Sequence, residues 1–245
     1  MAHSNPLFER THILLGDEGI EKVQNSHIFL AGLGGVGSYT AEALARMGIG
    51  KMTLVDHDVV SGSNVNRQMV ALNSTLGKLK ADVMAERIKD INPDCEVTLL
   101  TEFLTPETIP IILTDEFDVV IDAIDSLSSK SALLETAWRN KMAIFASMGA
   151  GGKLDPTQIT TGDLMDTSIC KLAKQLRSQL RKRGVGKGIQ TVYSLEMPLP
   201  PLPPEPVSRG RARAVNGTVS YMPSIFGLTL AGMVINHLIG DSRRV

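Results

Sequence analysis

Short apolar runs recur along the first 150 residues, at His27–Ala31, Lys51–Val55, Glu96–Leu100, Asp118–Ile121 and Ala143–Ser147. Each is four or five residues long and contains no proline, which predicts strands of a parallel sheet. The segments between them change to helical spacing. Ser38–Met47 places Ala41, Leu44, Ala45 and Met47 along one side, and Lys78–Asn92 does the same with Leu79, Val83, Met84 and Ile88. Pro106–Leu113 predicts a short helix and Lys130–Asn140 a longer one, while Phe8, Ile13, Leu14, Leu15 and Ile20 in Asn5–Val23 predict one or two lead-in helices. Strands that alternate with helices in this way predict an α/β fold, a Rossmann-like, doubly wound, mostly parallel sheet.

After Pro156 the pattern changes, so the chain divides into a core, 1–155, and a C-terminal strand and helix extension, 156–245. Thr157–Thr160 and Ile189–Glu196 read as strands and Ser168–Arg183 as a basic helix. A proline-rich stretch, Met197–Pro206, leads into Ser208–Val215, a flexible, positively charged loop that carries Arg209, Arg211 and Arg213. Pro223–Gly240 is an apolar run of 18 residues with no charge. That length just meets a membrane span, but Gly227, Gly232, Asn236 and His237 suit a buried helix that closes the domain equally well.

The segment between the first two strands carries the chemistry. Gly32, Gly34, Gly35 and Gly37 form a turn from strand to helix, and Asp56 ends the next strand 19 positions after Gly37. Glycines let the backbone approach phosphate oxygens, the helix start offers free amides, and a carboxylate at this interval suits a ribose hydroxyl. A nucleotide site is therefore expected. The following loop, DHDVVSGSNVNRQ, sets Asp58, Asn64, Asn66, Arg67 and Gln68 at the same carboxyl edge of the sheet. Lys80 lies in the first turn of the next helix, where a cation opposes the helix dipole and so calls for a nearby negative group. The fourth strand ends in a further polar turn, Asp122 to Ser126.

Composition narrows the setting. The net charge is −1, yet the 23 residues from Ser168 to Gln190 carry seven cations, Lys171, Lys174, Arg177, Arg181, Lys182, Arg183 and Lys187, and no acid. Cations at three- and four-residue steps line one side of a helix and suit a phosphate backbone. Two cysteines, Cys95 and Cys170, supply neither a disulfide framework nor paired CxxC zinc ligands, and the five histidines lack ligand spacing. With no secretory signal in the sequence, a reduced, cytoplasmic setting is expected.

GLGGVG, DHD, SNVNRQ, GKLK and DAIDS, in this order and at these intervals, resemble the adenylation domain of the E1-like (ThiF) family. That family includes ubiquitin-activating enzymes and bacterial activators of sulfur carriers. The resemblance runs from Arg10 to about Gly152, and GLTLAGMVINHLIG resembles the family's closing helix. It implies ATP and Mg²⁺ as cofactors. Asp56 is then expected to hold the ribose, Asn64 and Arg67 the triphosphate with Asp58 and Gln68 beside it, Lys80 the phosphates, and Asp125 the magnesium. Lys78 stays open as the alternative to Lys80. Arg10 resembles the arginine that family members supply from the other subunit of a homodimer.

Family members that form thioesters or persulfides need a cysteine after the fifth strand, and here the candidate is Cys170, which reads more simply as a small helix residue. The stretches AEALARMGIG, VMAERIKDINP, VIDAIDS and NKMAIFASMGAGGKLDPTQI, with the basic tail, resemble the branch that acts on the threonylcarbamoyl group of adenosine 37 in tRNA. This implies dehydration of that group to a cyclic form through an adenylated carboxylate, with tRNA held by the basic helix and by Arg209, Arg211 and Arg213. Activation of a ubiquitin-like sulfur carrier, with a sulfur-relay partner, is the competing expectation. A NAD-dependent oxidoreductase leaves Arg67, Lys80 and Asp125 without a task, and the same residues argue against a non-catalytic scaffold.

Overall fold

The computed structural model describes residues 5–203 and 216–240. Seven strands form one sheet in the order β3-β2-β1-β4-β5-β7-β6. They are β1 (His27–Ala31), β2 (Lys51–Val55), β3 (Glu96–Leu100), β4 (Val119–Asp122), β5 (Ala143–Ser147), β6 (Ile159–Asp163) and β7 (Ile189–Ser194). All neighbours are parallel except β6 and β7. The chain winds outward from β1 to β3, then returns to lay β4 against the other side of β1. That reversal opens a crevice at the carboxyl ends of β1 and β4, the place where sheets of this kind bind ligands.

Helices cover both faces, as the doubly wound pattern requires. One core joins β1, β2 and β4 to α1 (Glu9–Gln24), α2 (Gly37–Arg46), α3 (Lys80–Ile91) and α7 (Tyr221–Ile239); the other joins the sheet to α4 (Ile109–Ile112), α5 (Leu127–Arg139) and α6 (Lys171–Lys182). Every residue of β1 is buried, which explains its unbroken apolar run. The segment after residue 155 forms no sheet of its own; β7 pairs with β5 and extends the core sheet by two strands.

Several boundaries differ from the sequence pattern, each for a local reason. The sixth strand begins at Ile159 rather than Thr157, because Asp155 accepts the Thr157 N–H and turns Pro156–Gln158 into a 3-10 turn first. α3 begins at Lys80 rather than Lys78, since Gly77 sits at φ 81° and Leu79 stays extended in a bridge with Val59. α5 starts at Leu127, three residues before the expected point, and α4 keeps only four residues of Pro106–Leu113. α1 is broken at Gly16, whose φ of 68° makes two segments of the lead-in.

α7 is the one helix among the described residues long and apolar enough to cross a membrane. Here it lies inside the fold, with Met222, Phe226, Leu230, Val234 and Ile235 buried against the sheet, α1 and α2. Gly227 permits this approach: a Cβ there would collide with the Val36 carbonyl, and Thr40 Oγ1 instead donates to the Gly227 carbonyl at 3.1 Å.

Candidate adenylation site

A cavity of about 610 Å³ opens across the carboxyl ends of β1, β2, β4 and β5. The glycine turn after β1 forms one wall. Gly32 has φ 92°, and any Cβ on it would stand 2.7 Å from the Ala123 carbonyl oxygen, so the turn lies directly on the end of β4. Gly34 and Gly35 line the cavity. Gly37 does not; as the first residue of α2 it packs on the Gly32 carbonyl, where a Cβ would collide. Its missing side chain thus serves the fold of the turn, and of the four glycines it is the one outside the cavity lining. No side chain caps the start of α2, which leaves that end open to an anion.

Asp56 is 9% exposed at the end of β2 and faces the cavity. Its Oδ2 accepts the Leu33 N–H at 2.6 Å and its Oδ1 the Asp58 N–H at 2.9 Å. The carboxylate thus ties the glycine turn to the polar loop and presents the same oxygens to the cavity, a structural task that the interval from Gly37 does not disclose. In the loop, Asn64 Oδ1 accepts the Ser61 N–H, and Arg67 is held by Ser63 and Asn66 oxygens at 2.8 Å each. Asn66 itself is outside the lining and donates from Nδ2 to the carbonyl of Thr218, a lining residue, at 2.9 Å. Gln68 is buried beside Gly34, and its Oε1 finds no partner. A buried amide oxygen left unpaired at a cavity wall fits a polar ligand there.

Of the two candidate lysines, one lines the cavity. Lys78 is exposed and away from the cavity, whereas Lys80 is buried at the cavity wall with its Nζ 2.7 Å from Asp58 Oδ2. Asp58 is the negative group that a cation at the start of α3 requires. Asp125 stands across the cavity, exposed, with no side-chain hydrogen bond or ion pair among the described residues. The turn that carries it is anchored by Asp122 and Lys130, a fully buried ion pair at 2.7 Å. Burial pushes the Asp122 carboxyl above its ordinary range, against the pull of Lys130 and the Ile124 N–H.

Other lining residues were not singled out by the sequence pattern. Phe103 packs edge-on to His57, with ring centroids 4.9 Å apart, and Leu104 lies beside them at the β2 and β3 side. At the opposite side, Met148 to Gly151 follow β5, and Asn216 and Thr218 close the wall. Gly152 N–H donates to the Gly217 carbonyl at 2.8 Å and its carbonyl accepts the Leu199 N–H at 2.7 Å, so both strands of chain that flank residues 204–215 meet at this lip. A run of glycines at a strand end was the only available signal. Asp56, His57 and Asp58 also place three potential ligand atoms within 4.8 Å of one another. Hydrogen bonds to Leu33 and Asp58 occupy Asp56, however, and Lys80 neutralises Asp58.

Two expected groups lie elsewhere. Arg10 is exposed on α1 and does not line the cavity of its own chain. The basic helix α6 buries Ala173, Leu176 and Leu180 and exposes Lys171, Lys174, Arg181 and Lys182 on the opposite face. Its charge is less free than the acid-free window predicts. Arg183 pairs with Glu135 of α5 and Lys187 with Asp166, each at 2.8 Å, Arg177 donates to Thr167 Oγ1, and Arg181 reaches the Met165 carbonyl at 3.4 Å. Acids from outside the window complete these pairs. Arg209, Arg211 and Arg213 lie outside the described residues.

The sequence profile of the ThiF family matches residues 8–244. A tRNA threonylcarbamoyladenosine dehydratase of Bacillus subtilis is 39% identical over 241 residues, which cover 96% of this chain and 95% of that protein. The Escherichia coli dehydratase of the same name is 44% identical over 196 residues, covering 77% and 73%. A crystal structure of the E. coli enzyme in complex with ATP superposes with a TM-score of 0.86 at 38% identity, over 96% of this chain and 94% of that one. With the glycine turn, Asp56, Arg67, Lys80 and Asp125 gathered in one cavity at the switch point of the sheet, the chain belongs to the ThiF family of adenylating enzymes.

Proposed function

We propose that the chain catalyses the ATP-dependent dehydration of N6-threonylcarbamoyladenosine at position 37 of tRNA to its cyclic form. A carboxylate oxygen of the threonyl group attacks the α-phosphorus of ATP and pyrophosphate leaves. A nucleophile within the modified base then attacks the activated carbonyl and AMP departs, so that the ring closes with net loss of water. Asp56 receives the ribose, and His57, Phe103 and Leu104 border the base. Asn64, Arg67, Gln68 and Lys80 meet the phosphates, where cations offset the charge that gathers as the α-phosphorus is attacked. Asp125, a carboxylate facing them with no ion pair among the described residues, fits Mg²⁺, which when bound would supply further charge neutralisation. Met148 to Gly151, Asn216 and Thr218 border the side from which the tRNA base enters.

The observation that carries this reading is that the cavity offers phosphate and carboxylate chemistry without a thiol at its wall. Cys95 and Cys170 are both buried, neither lines the cavity, and burial pushes the Cys95 thiol up to about 11. A reaction whose nucleophile resides in the substrate needs no cysteine, whereas persulfide transfer does. Arg10, from a second copy of the chain, completes the cation set in a homodimer, and Lys171, Lys174 and Lys182 meet tRNA phosphates in a cytoplasmic setting. The test is pyrophosphate exchange into ATP. It is expected to depend on tRNA that carries the threonylcarbamoyl group and to stay at background with unmodified tRNA. Exchange driven by a ubiquitin-like sulfur carrier and indifferent to tRNA would overturn the assignment.

A further inference from the structure

Beneath the cavity, at the end of β4, two charges are enclosed that the proposed reaction does not touch. Asp122 and Lys130 are both fully buried, with Oδ2 and Nζ 2.7 Å apart. Stability alone does not account for them. Taking two ions out of water costs about as much as their attraction returns, and a packed apolar pair holds such a position equally well. Lys130 also lies within the first four residues of α5, the end of a helix that disfavours cations.

What the pair does is seen in the two residues that follow Asp122. Its Oδ1 accepts the Ile124 N–H at 3.1 Å, while Lys130 Nζ donates to the Ile124 carbonyl at 3.1 Å. Ala123 N–H donates to the Ala31 carbonyl at 2.8 Å, and Gly32 abuts the Ala123 carbonyl so closely that no Cβ fits between them. The turn is clamped on one side by β1 and its glycine and on the other by the buried pair. Asp125 is the next residue, and among the described residues its side chain has no hydrogen-bond or ion-pair partner to fix it.

We propose that Asp122 and Lys130 are positioning residues: together they hold the Ala123–Ile124 turn and so set where the Asp125 carboxylate stands in the cavity. This rests on the reading of Asp125 as a participant in adenylation. The pair acts as the outer layer of that site and touches neither nucleotide nor metal. Displacement of a reacting group by about 1 Å costs about a hundredfold in rate, and loss of supporting groups around a metal ligand costs about 10- to 100-fold in affinity or activity.

The experiment compares wild type with the double variant Asp122→Leu/Lys130→Met, which removes both charges, so that no buried ion is left unpaired, and releases the N–H and carbonyl of Ile124. Pyrophosphate exchange is measured with tRNA bearing the threonylcarbamoyl group, at varied ATP and Mg²⁺, alongside thermal unfolding. The expected result is a folded protein with KM for ATP within about threefold of wild type, kcat lower by about 10- to 100-fold, and a higher Mg²⁺ concentration at half-maximal rate. A folded double variant with wild-type kcat and Mg²⁺ requirement overturns the proposal, and so does a change confined to KM. Should the double variant not fold, Asp122→Asn replaces it. This variant keeps the shape and the acceptor for Ile124 N–H but breaks the ion pair that holds Lys130 on the Ile124 carbonyl, so a kinetic loss in the same direction is expected; wild-type kinetics overturn the proposal. Asp125→Asn separates the two layers of the argument. If it is impaired while the double variant is not, only the positioning claim falls; if it runs at the wild-type rate, the role of Asp125 falls and the positioning claim with it.

Discussion

Replacing Lys80 by Met separates the chemistry of this cavity from its stability. The aliphatic stem of Lys80 is buried and a methionine fills nearly the same volume, so packing changes little. The ion pair with Asp58 is lost, but the Asp58 side chain is 52% exposed and returns to water. A pair with one solvated member contributes about 0 to 1 kcal/mol, which for a domain of this size shifts the melting temperature by no more than about 2 to 4 °C. Turnover is a different matter. In the proposed reaction the ammonium faces charge that develops on the phosphates, and loss of one such group costs about 2.7 to 4 kcal/mol, or about 10²- to 10³-fold in kcat. Calorimetry and single-turnover formation of AMP from ATP and modified tRNA measure the two effects on one preparation. A variant that turns over within threefold of wild type would refute the role given to Lys80, and one that loses its fold together with its activity would refute the separation.

Other consequences follow from the same geometry. Reversing Lys171, Lys174 and Lys182 to Glu, the cations of α6 whose side chains have neither an ion partner nor a hydrogen bond among the described residues, should weaken tRNA binding; each lost phosphate contact lowers the log–log salt slope by about 0.7 to 0.9, and an unchanged slope returns the helix face to solvent. Mixed Arg10→Ala and Lys80→Ala subunits should recover activity that neither has alone, since one hybrid site holds both cations; a mixture that exchanges subunits yet stays inactive contradicts a site shared between copies. Burial opposes ionisation of Glu42, yet hydrogen bonds from Arg87 and Arg46 hold its carboxyl below the usual 4.5. Its folded value being depressed, the stability it contributes is present above about 4.5 and lost as pH falls through the folded value. Urea unfolding of Glu42→Gln should therefore show a shallower loss of stability on acidification than wild type, and identical slopes would count against it.

How much of this was legible in the sequence depends on whether a feature is local. β1, β2, β4 and β5 were readable because strands buried on both faces leave nearly unbroken apolar runs, β3, a partly exposed edge strand, by its Val97, Leu99 and Leu100, and Lys80 announced its need of a negative partner by opposing a helix dipole. Asp125 and the glycine turn were readable as a spaced set. The Asp122–Lys130 pair was not, since an acid that ends a strand and a lysine on a helix look like ordinary polar positions until the fold encloses them. The same reason hid the pairing of Arg183, at the end of α6: Glu135 lies 48 residues from it in sequence, and only the packing of α5 on α6 brings them together. Gly37 carries a constraint that the pattern does not show. It belongs to a phosphate-binding motif, and its missing side chain makes room for the Gly32 carbonyl within the turn itself.

The central claim is the reaction itself, and mass spectrometry of tRNA nucleosides reads it most directly. tRNA carrying N6-threonylcarbamoyladenosine is incubated with the purified chain, ATP and Mg²⁺, then digested under mild conditions. The account predicts conversion of that nucleoside to a species lighter by one water, with AMP and pyrophosphate formed in equal amount and none of the three in the absence of ATP. An unchanged nucleoside, from a folded protein that adenylates the C-terminus of a sulfur-carrier protein instead, would contradict it.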